Sequence, residues 1–297
     1  MNIRAPYSLV TAFTSNPFGG NPAAVIHLNP SHSPEFLGQI AKNLNQPVLS
    51  VLSTERIPSD DDKTLIYGIK YFAPNGKPIP LCGHGTLAAT KFLLSSPEVQ
   101  AKGIQDIHFI TDSGVMVKAV QLDDEFIEIE IPTAAPTSVS AFEKERLKVF
   151  VDKAFGRDVV IHDIKAGNNG YEHYVLVELD LAEDLQGSTV DAKQLIGNGF
   201  VINVLTTASP GPQAAFVSRM FAPTMINEPG EDHVCGSAHG LLVPHWYSKL
   251  GIPSGQEIQV KQVSTRGGDL RVVFQQEEGR IKLRGQCVML STGELHI

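Results

Sequence analysis

Two cysteines, Cys82 and Cys235, draw attention because each precedes a glycine and then a run of small and apolar residues. We expect each thiol at or just before the N-terminus of a buried helix, where unsatisfied N–H groups and partial positive charge favour a thiolate. One thiolate can remove a proton from a carbon, and an opposing thiol can return a proton to its other face. For a lone cysteine, burial as a small hydrophobic side chain is the commoner outcome.

Three polar side chains lie close in sequence to the two thiols. His84 follows Cys82 by two residues and could be a general acid–base group or a donor to a substrate carboxylate, or it could only bond the backbone. Ser237 holds the matching place after Cys235, where ordinary helix capping is the alternative. Asp232 could bind a substrate amine or orient a catalytic group; an acidic surface turn is the alternative.

Glycines and turns supply the candidates for substrate binding. Two helix N-termini aimed at one cleft would bind a carboxylate or stabilise an enolate-like anion. Gly83, Gly85 and Gly236 would let the backbone approach such a ligand closely. We expect the anion near four backbone amides, those of Gly83, His84, Gly236 and Ser237. Asn21 lies in a tight turn and could donate to a ligand, although a turn alone explains it.

The elements that must position these residues form an internal repeat. The tripeptide Phe-Ala-Pro occurs at 72–74 and again at 221–223, and each copy precedes a Cys-Gly pair. Helices rich in small and apolar residues are predicted next, over 84–94 and 237–250, and strand-rich sequence follows both. A helix that is apolar nearly all round is a buried one.

Two further helices are predicted, over 34–44 and 142–155, and short alternating runs predict half-buried antiparallel strands. The repeat therefore predicts an α+β fold of two similar domains, each of mostly antiparallel strands wrapped around a central helix. A small, proline-containing stretch at 131–138 has linker composition. We place the N-terminal domain at 1–131 with a C-terminal strand at 286–297, and the second domain at 132–285, with the cysteines facing each other across the cleft.

Composition and charge exclude several classes of protein. The 297 residues carry 24 Lys+Arg against 32 Asp+Glu, a net charge of −8, which argues against a nucleic-acid partner. No secretory signal and no membrane span is expected. The 3 cysteines form no CxxC pair, so we predict no metal and a reducing, cytoplasmic setting. No glycine cluster has the context of a dinucleotide site, and we predict no cofactor.

Three ordered motifs resemble those of the PhzF-like (phenazine biosynthesis-like) family. They are FTSNPFGGNPAAV at 13–25, YFAP with LCGHGT within 71–86, and EDHVCGSAH at 231–239. The resemblance implies a diaminopimelate-epimerase-like fold, two similar domains with the active site between them. It also implies a cytoplasmic, cofactor-free protein and a possible homodimer.

The sequence departs from this family at one position. The family's isomerase uses a glutamate in a segment ending Asn-Leu-Ser-Glu, whereas Gln46 stands there in this chain. An amide can bind substrate but cannot shuttle a proton as a carboxylate does. The family's neighbouring polar residues match His84, Asp232 and Ser237. The related amino-acid epimerases carry catalytic cysteines at both positions that are cysteine here.

The leading hypothesis is a cofactor-independent isomerase, a racemase or epimerase acting next to a carboxylate on a small carboxylate or amino-acid-like substrate. Cys82 and Cys235 would be its two acid–base groups. The alternative is a PhzF-type isomerase of a cyclic or unsaturated acid, in which His84 and Asp232 replace the missing carboxylate. A third hypothesis is a catalytically silent small-molecule binding protein.

Overall fold

The computed structural model describes residues 3–29, 31–59, 61, 63–122 and 125–297. The chain divides into two compact units. Unit 1 extends to Glu130 and takes in the C-terminal segment Leu283–Ile297, and unit 2 is Ile131–Lys282. No helix within the described ranges is both long and apolar enough to cross a membrane.

The first eight strands and three helices belong to unit 1 or begin in it. In chain order they are β1 (Arg4–Ala12), β2 (Asn21–Leu28), α1 (Pro34–Leu44), β3 (Val48–Ile57), β4 (Thr64–Phe72), β5 (Pro78–Ile79), α2 (Gly83–Leu94), α3 (Pro97–Ala101), β6 (Asp106–Thr111), β7 (Met116–Gln121) and β8 (Ile127–Pro132).

Unit 2 begins a second round of similar elements. They are β9 (Thr137–Ser138), α4 (Ala141–Phe155), β10 (Ile161–Ala166), β11 (Tyr174–Leu179), β12 (Ile202–Ala208), β13 (Phe216–Phe221), β14 (Glu231–Asp232), α5 (His239–Leu250), β15 (Glu257–Gln262), β16 (Gly268–Gln275) and β17 (Arg280–Gly285). The final strand, β18 (Cys287–His296), pairs antiparallel with β1 in unit 1.

The two units repeat the same sequence of strand pairings. In unit 1, β2 pairs parallel with β3, β3 antiparallel with β4, β4 parallel with β6, and β6 antiparallel with β7. In unit 2, β11, β12, β13, β15 and β16 pair in that same alternation. The short strands β5 and β14 attach to the ends of β4 and β13. The predicted α+β fold of two similar halves is confirmed.

The central helices are α2 and α5. Both are buried over most of their length, as their small and apolar composition predicts. Within α5, Trp246 stacks on Phe216 of β13 with ring centroids 5.6 Å apart, and its indole N–H donates to Thr206 of β12 at 3.0 Å. This packing fixes α5 on the sheet of unit 2.

Helix α5 contains a proline, and the unit compensates for it. Pro244 has no N–H to donate to the carbonyl of Gly240, one turn earlier. The backbone N–H of Ala134 donates to that carbonyl instead, at 3.1 Å. The freed acceptor is thereby satisfied, which a buried carbonyl requires.

The two predicted outer helices also form, and each has a clear cap. The hydroxyl of Ser33 accepts from the N–H of Phe36 at the start of α1, and the hydroxyl of Ser140 accepts from the N–H of Glu143 at the start of α4. The helices lie within a residue of the predicted spans. Strand β3 was not predicted; its first five residues are buried on both faces, so they show no alternation of apolar and polar side chains.

We expect Gly240→Ala to destabilise unit 2, although alanine is intrinsically the better helix former by about 1 kcal/mol. An added Cβ would lie 2.0 Å from the hydroxyl of Tyr171 and 3.0 Å from the carbonyl of Pro132, which that hydroxyl bonds at 2.7 Å. Overpacking of this kind costs about 1–3 kcal/mol. The measurement is the free energy of unfolding in urea. The control is Gly211→Ala, whose Cβ has no heavy atom within 4 Å; equal stabilities for the two variants would contradict the expectation.

Candidate active site

Cys82 occupies the N-cap position of α2, in an extended backbone conformation. Its Sγ lies 3.3 Å from Nδ1 of His84, and that nitrogen lies 3.3 Å from Nδ2 of Asn21 at the start of β2. An amide NH₂ can only donate, so Nδ1 of the buried imidazole accepts and the ring carries its proton on Nε2. The basic nitrogen of His84 therefore faces the thiol.

The backbone of Cys82 is held from the next turn of α2. Its carbonyl accepts from both the N–H and the hydroxyl of Thr86, at 2.9 and 2.8 Å. The hydroxyl of Tyr71, from β4, bonds Thr86 at 2.6 Å. Burial, together with the nearby charge of Cys82, raises the pKa of Tyr71 far above its ordinary value, so the phenol stays a donor. The turn that carries the thiol is thus fixed to the sheet.

Cys235 is buried, and its sulfur lies beside a hydroxyl group. Its Sγ lies 3.2 Å from Oγ of Ser237, which lies 2.8 Å from the hydroxyl of Tyr174 on β11. Burial raises the pKa of Tyr174 strongly, and the negative charge of a Cys235 thiolate and that of Asp232 raise it further. The phenol therefore keeps its proton and can donate it in a hydrogen bond toward Ser237.

The backbone around Cys235 is held by two side chains. Its N–H donates to Oε1 of Gln262 on β15 at 2.8 Å, and Nε2 of Gln262 donates to the carbonyl of Asp232 at 2.6 Å. The carbonyl of Cys235 bonds Nδ1 of His239 at 2.9 Å. These contacts hold residues 232–235 in one conformation.

The surroundings of the two thiols match position by position. Two residues after each cysteine, a side chain contacts the sulfur: His84 in unit 1 and Ser237 in unit 2. Four residues after each cysteine, a side chain donates to the cysteine carbonyl: Thr86 and His239. The internal repeat thus extends to individual hydrogen bonds, with different residue types in the two copies.

The helix after Cys235 starts later than predicted. The sequence predicts a helix from residue 237, whereas α5 begins at His239 with Ala238 as its N-cap. The preceding residues form a tighter turn, in which His239 donates to the carbonyl of Gly236 and Gly240 to that of Ser237. Cys235 therefore lies three residues before the N-cap, whereas Cys82 is itself the N-cap of α2.

The remaining predicted residues lie near these two groups in sequence. Gly85 packs closely in unit 1, since an added Cβ would lie 2.8 Å from Oγ of Ser50. Gly83 is the first residue of α2. Gln46 follows the left-handed C-cap Asn45 of α1, and its Nε2 donates to the carbonyl of Leu44 at 3.1 Å. Residue 46 stands two positions before β3, at the end of the sheet where β2 begins, because those strands are parallel.

Asp232 is the last residue of β14, and its neighbour Glu231 anchors that strand. Arg219 donates from Nε and Nη2 to the two carboxylate oxygens of Glu231 at 2.7 and 2.9 Å, and both side chains are buried. Arg219 also donates to the carbonyls of Leu185 and Ser188. The ion pair between Arg219 and Glu231 thus fixes the strand that ends at Asp232.

Sequence reasoning missed Tyr71, Tyr174 and Gln262. Tyr71 belongs to the YFAP motif before Cys82, but the motif does not show that its hydroxyl reaches Thr86. Tyr174 and Gln262 come from strands distant in sequence from Cys235, so spacing alone could not identify them. For the two tyrosines the available signal was a polar hydroxyl at a buried position of a mainly apolar strand, which needs a hydrogen-bond partner. The polar strand that carries Gln262 gave no such signal.

The third cysteine differs from the other two. All 3 cysteines are thiols and none is in a disulfide. Burial raises the pKa of Cys287, at the start of β18, to about 12. Within the described ranges, the structure has no group of three or more His, Cys, Asp and Glu side chains arranged to hold a metal ion.

Comparison with known proteins places these residues in a wider context. A family model described as "Phenazine biosynthesis-like protein" matches residues 10–293. An uncharacterized isomerase of Halalkalibacterium halodurans is 30% identical over 294 residues, covering 98% of each chain. A crystal structure of a phenazine biosynthesis protein of the PhzF family from Enterococcus faecalis superimposes with a TM-score of 0.79 at 26% identity, over 99% of this chain and 100% of that one.

A more distant structure shares the fold alone. It is a hydroxyproline epimerase from Agrobacterium vitis, solved with bound trans-4-hydroxy-L-proline. It matches with a TM-score of 0.57 at 12% identity, over 99% of this chain and 91% of that one.

The free energy of unfolding should fall between pH 6.5 and 4 because of His239. Burial lowers the pKa of this imidazole from 6.5 to about 4. The unfolded chain binds a proton as the pH falls through 6.5, while folded His239 stays neutral, so its stabilising contribution is present above that pH and is lost on acidification. The loss is on the order of 2 kcal/mol between pH 6.5 and 5.

The measurement is urea unfolding of the wild type and of His239→Gln at both pH values. The variant should lose less stability on acidification. As a control, His296→Gln changes a histidine that is half exposed and should keep the wild-type slope. Parallel curves for the wild type and His239→Gln would contradict the expectation.

Proposed function

Because this chain belongs to the phenazine biosynthesis-like protein family and is an isomerase, we propose that it is a racemase or epimerase that moves a proton at a carbon next to a carboxylate. Cys82 and Cys235 are its two acid–base groups. The observation that carries the proposal is the matched surroundings of the thiols. Each sulfur contacts a polar side chain two residues later, and each cysteine carbonyl accepts from a side chain four residues later.

The different contacts of the two sulfurs assign them different starting roles. The basic Nδ1 of His84 can accept the Cys82 proton, which favours the thiolate and makes Cys82 the base. Ser237, bonded to the protonated Tyr174, can donate to Cys235 but has no comparable basicity. With Cys82 as the base, Cys235 is the acid, which delivers its proton to the opposite face of the substrate carbon.

In the forward direction, the Cys82 thiolate takes the proton from the substrate carbon, and the C–H electron pair moves into the adjacent carboxyl group. The Cys235 thiol then protonates the other face, so the product has inverted configuration. The enzyme is left with its proton on Cys82 and the negative charge on Cys235, and it runs the reverse reaction from that form. Backbone N–H groups of residues 83, 84, 236 and 237 stabilise the developing anion. Both protons travel on sulfur, so the reaction needs no cofactor.

Gln46 then orients the substrate through its amide instead of moving a proton. The carboxylate of Asp232 can bind a substrate amine, and the backbone amides can bind a substrate carboxylate. The substrate we propose is therefore a small carboxylate or amino-acid-like molecule. These assignments require the two thiols to lie on opposite sides of one substrate carbon, as the sequence repeat predicts.

A second candidate is an isomerase of a cyclic or unsaturated acid, and the environment of His84 favours it. Asn21 fixes the tautomer of this buried imidazole, as an orienting group does for a catalytic histidine. In that reaction His84 would move the proton and Asp232 would assist it, while the thiols would be spectators.

Cys82→Ser and Cys235→Ser should each lower turnover by orders of magnitude, because a serine hydroxyl is a far weaker acid than a thiol. Gln46→Ala should cost about tenfold, the scale of one lost hydrogen bond of about 0.5–1.5 kcal/mol. The assay is deuterium incorporation from D₂O at the substrate α-carbon, followed by NMR over a panel of amino acids and hydroxy acids. Cys287→Ser is the matched control and should retain activity.

Near-normal exchange by both serine variants, with loss of exchange in His84→Asn, would overturn the two-thiol mechanism in favour of the second candidate. No exchange by the wild type with any acid that demonstrably binds would favour a silent binding protein.

Cys82 should react with iodoacetamide at pH 7 faster in the wild type than in His84→Asn, by about tenfold, because alkylation proceeds through the thiolate. Mass spectrometry of timed samples gives the rate at each cysteine. Cys287 should react more slowly than Cys82 in the native protein, since its raised pKa keeps the thiol protonated. Equal Cys82 rates in the wild type and His84→Asn would show that His84 does not activate the thiol.

A further inference from the structure

A surface cavity of about 410 Å³ lies in unit 2, at the opposite end of α5 from the turn that carries Cys235. Its lining combines charged and imidazole groups from three elements. Lys165 comes from β10, Glu178 from β11, and His245 and Lys249 from α5. The proposed reaction uses none of these side chains.

Three of these groups form a continuous hydrogen-bonded chain. Nζ of Lys165 lies 3.2 Å from Nδ1 of His245, and Nε2 of His245 lies 3.0 Å from Oε2 of Glu178. A lysine ammonium has donors only, so Nδ1 is the acceptor and Nε2–H donates to Glu178. The inner two side chains are 2% and 3% exposed, whereas that of Lys165 is 23% exposed and reaches the cavity.

Glu178 is ionised at neutral pH in spite of its burial. Burial raises its pKa, but hydrogen bonds and charges from His245 and Lys249 outweigh this and lower it to about 2. The carboxylate therefore fixes the orientation of the His245 ring and would stabilise an imidazolium if Nδ1 gained a proton. This order of nucleophile, base and orienting carboxylate is the arrangement that activates nucleophiles in enzymes.

We propose that Lys165 is a nucleophile that accepts an acyl group from a small acyl phosphate in this cavity. Nδ1 of His245 first takes a proton from the Lys165 ammonium and passes it to water, which leaves a neutral amine with a free electron pair. That amine attacks the carbonyl carbon, a C–N bond forms, and the C–O bond to phosphate breaks. Phosphate leaves with that electron pair. The second proton, released from Nζ as the amide forms, follows the same route through Nδ1 of His245 to water, and Glu178 stabilises the transient imidazolium each time. The product is an amide at Lys165.

A neighbouring lysine provides an internal comparison. Nζ of Lys144 and Nζ of Lys165 each lie 3.7 Å from the carboxylate of Asp163, so that charge affects both. Lys144 donates to the carbonyl of His162 instead of to an imidazole, and its side chain is the more exposed, at 36%. Exposure alone predicts faster acylation of Lys144; the His245 contact predicts faster acylation of Lys165.

The test uses the intact protein with acetyl phosphate as the probe, at pH 8. Peptide mass spectrometry over time gives an acetylation rate for each lysine. We expect Lys165 to be acetylated about tenfold or more faster than Lys144. General-base catalysis typically raises rates by more than this factor. In His245→Gln the Lys165 rate should fall to that of Lys144 or below. In Lys249→Met the order of rates should persist, because Lys249 contacts Glu178 rather than Lys165.

A wild-type Lys165 rate equal to or below that of Lys144 would overturn the proposal, and this comparison requires no variant to fold. An unchanged Lys165 rate in a His245→Gln protein with native circular dichroism would also overturn it. The result is independent of racemase activity, since none of these residues belongs to the proposed reaction.

Discussion

Each thiol of the candidate site depends on a hydrogen bond to the carbonyl group of its own residue. In unit 1 the hydroxyl of Thr86 makes this bond, and in unit 2 the imidazole of His239 makes it. The bond ties the cysteine to a side chain one turn further along the chain. The Cys-Gly-X segment between them is then closed into a tight turn, and the side chain of X, two residues on, lies against the sulfur. In unit 1 the backbone N–H of Thr86 reinforces the turn with a second bond to the same carbonyl.

The central helices extend the same constraint into the core. Helices α2 and α5 are buried over most of their length, so the turns at their N-terminal ends are attached to well-packed helices. Such burial limits which residues fit. Gly240 leaves room for the hydroxyl of Tyr171, and the carbonyl that Pro244 leaves unbonded receives the N–H of Ala134. The surrounding strands and loops of unit 2 thus complete the backbone hydrogen bonds that α5 cannot complete itself.

Much of this organisation could be predicted from the sequence because its signals are local. The repeated Phe-Ala-Pro and Cys-Gly segments identified both thiols and the two similar halves, and the three motifs identified the family. The contacts of Tyr174 and Gln262 could not be predicted, since strand pairing brings them to Cys235 from distant positions, and the motif that contains Tyr71 does not show which group its hydroxyl bonds. The start of α5 was missed for a different reason. Ser237 and Ala238 continue the small and apolar composition from which the helix over 237–250 was predicted, but the hydrogen bonds here close a tighter turn.

The two cysteines have side-chain contacts at the same positions but from different residue types. Under the proposed reaction, this difference has a kinetic consequence. For a racemisation the equilibrium constant is one, so kcat/KM must be equal for the two stereoisomers whatever the protein does. An imidazole beside one sulfur and a hydroxyl beside the other can still make kcat and KM differ individually between the isomers. The enzyme can therefore saturate at different concentrations of its two mirror-image substrates, although it cannot shift the equilibrium between them.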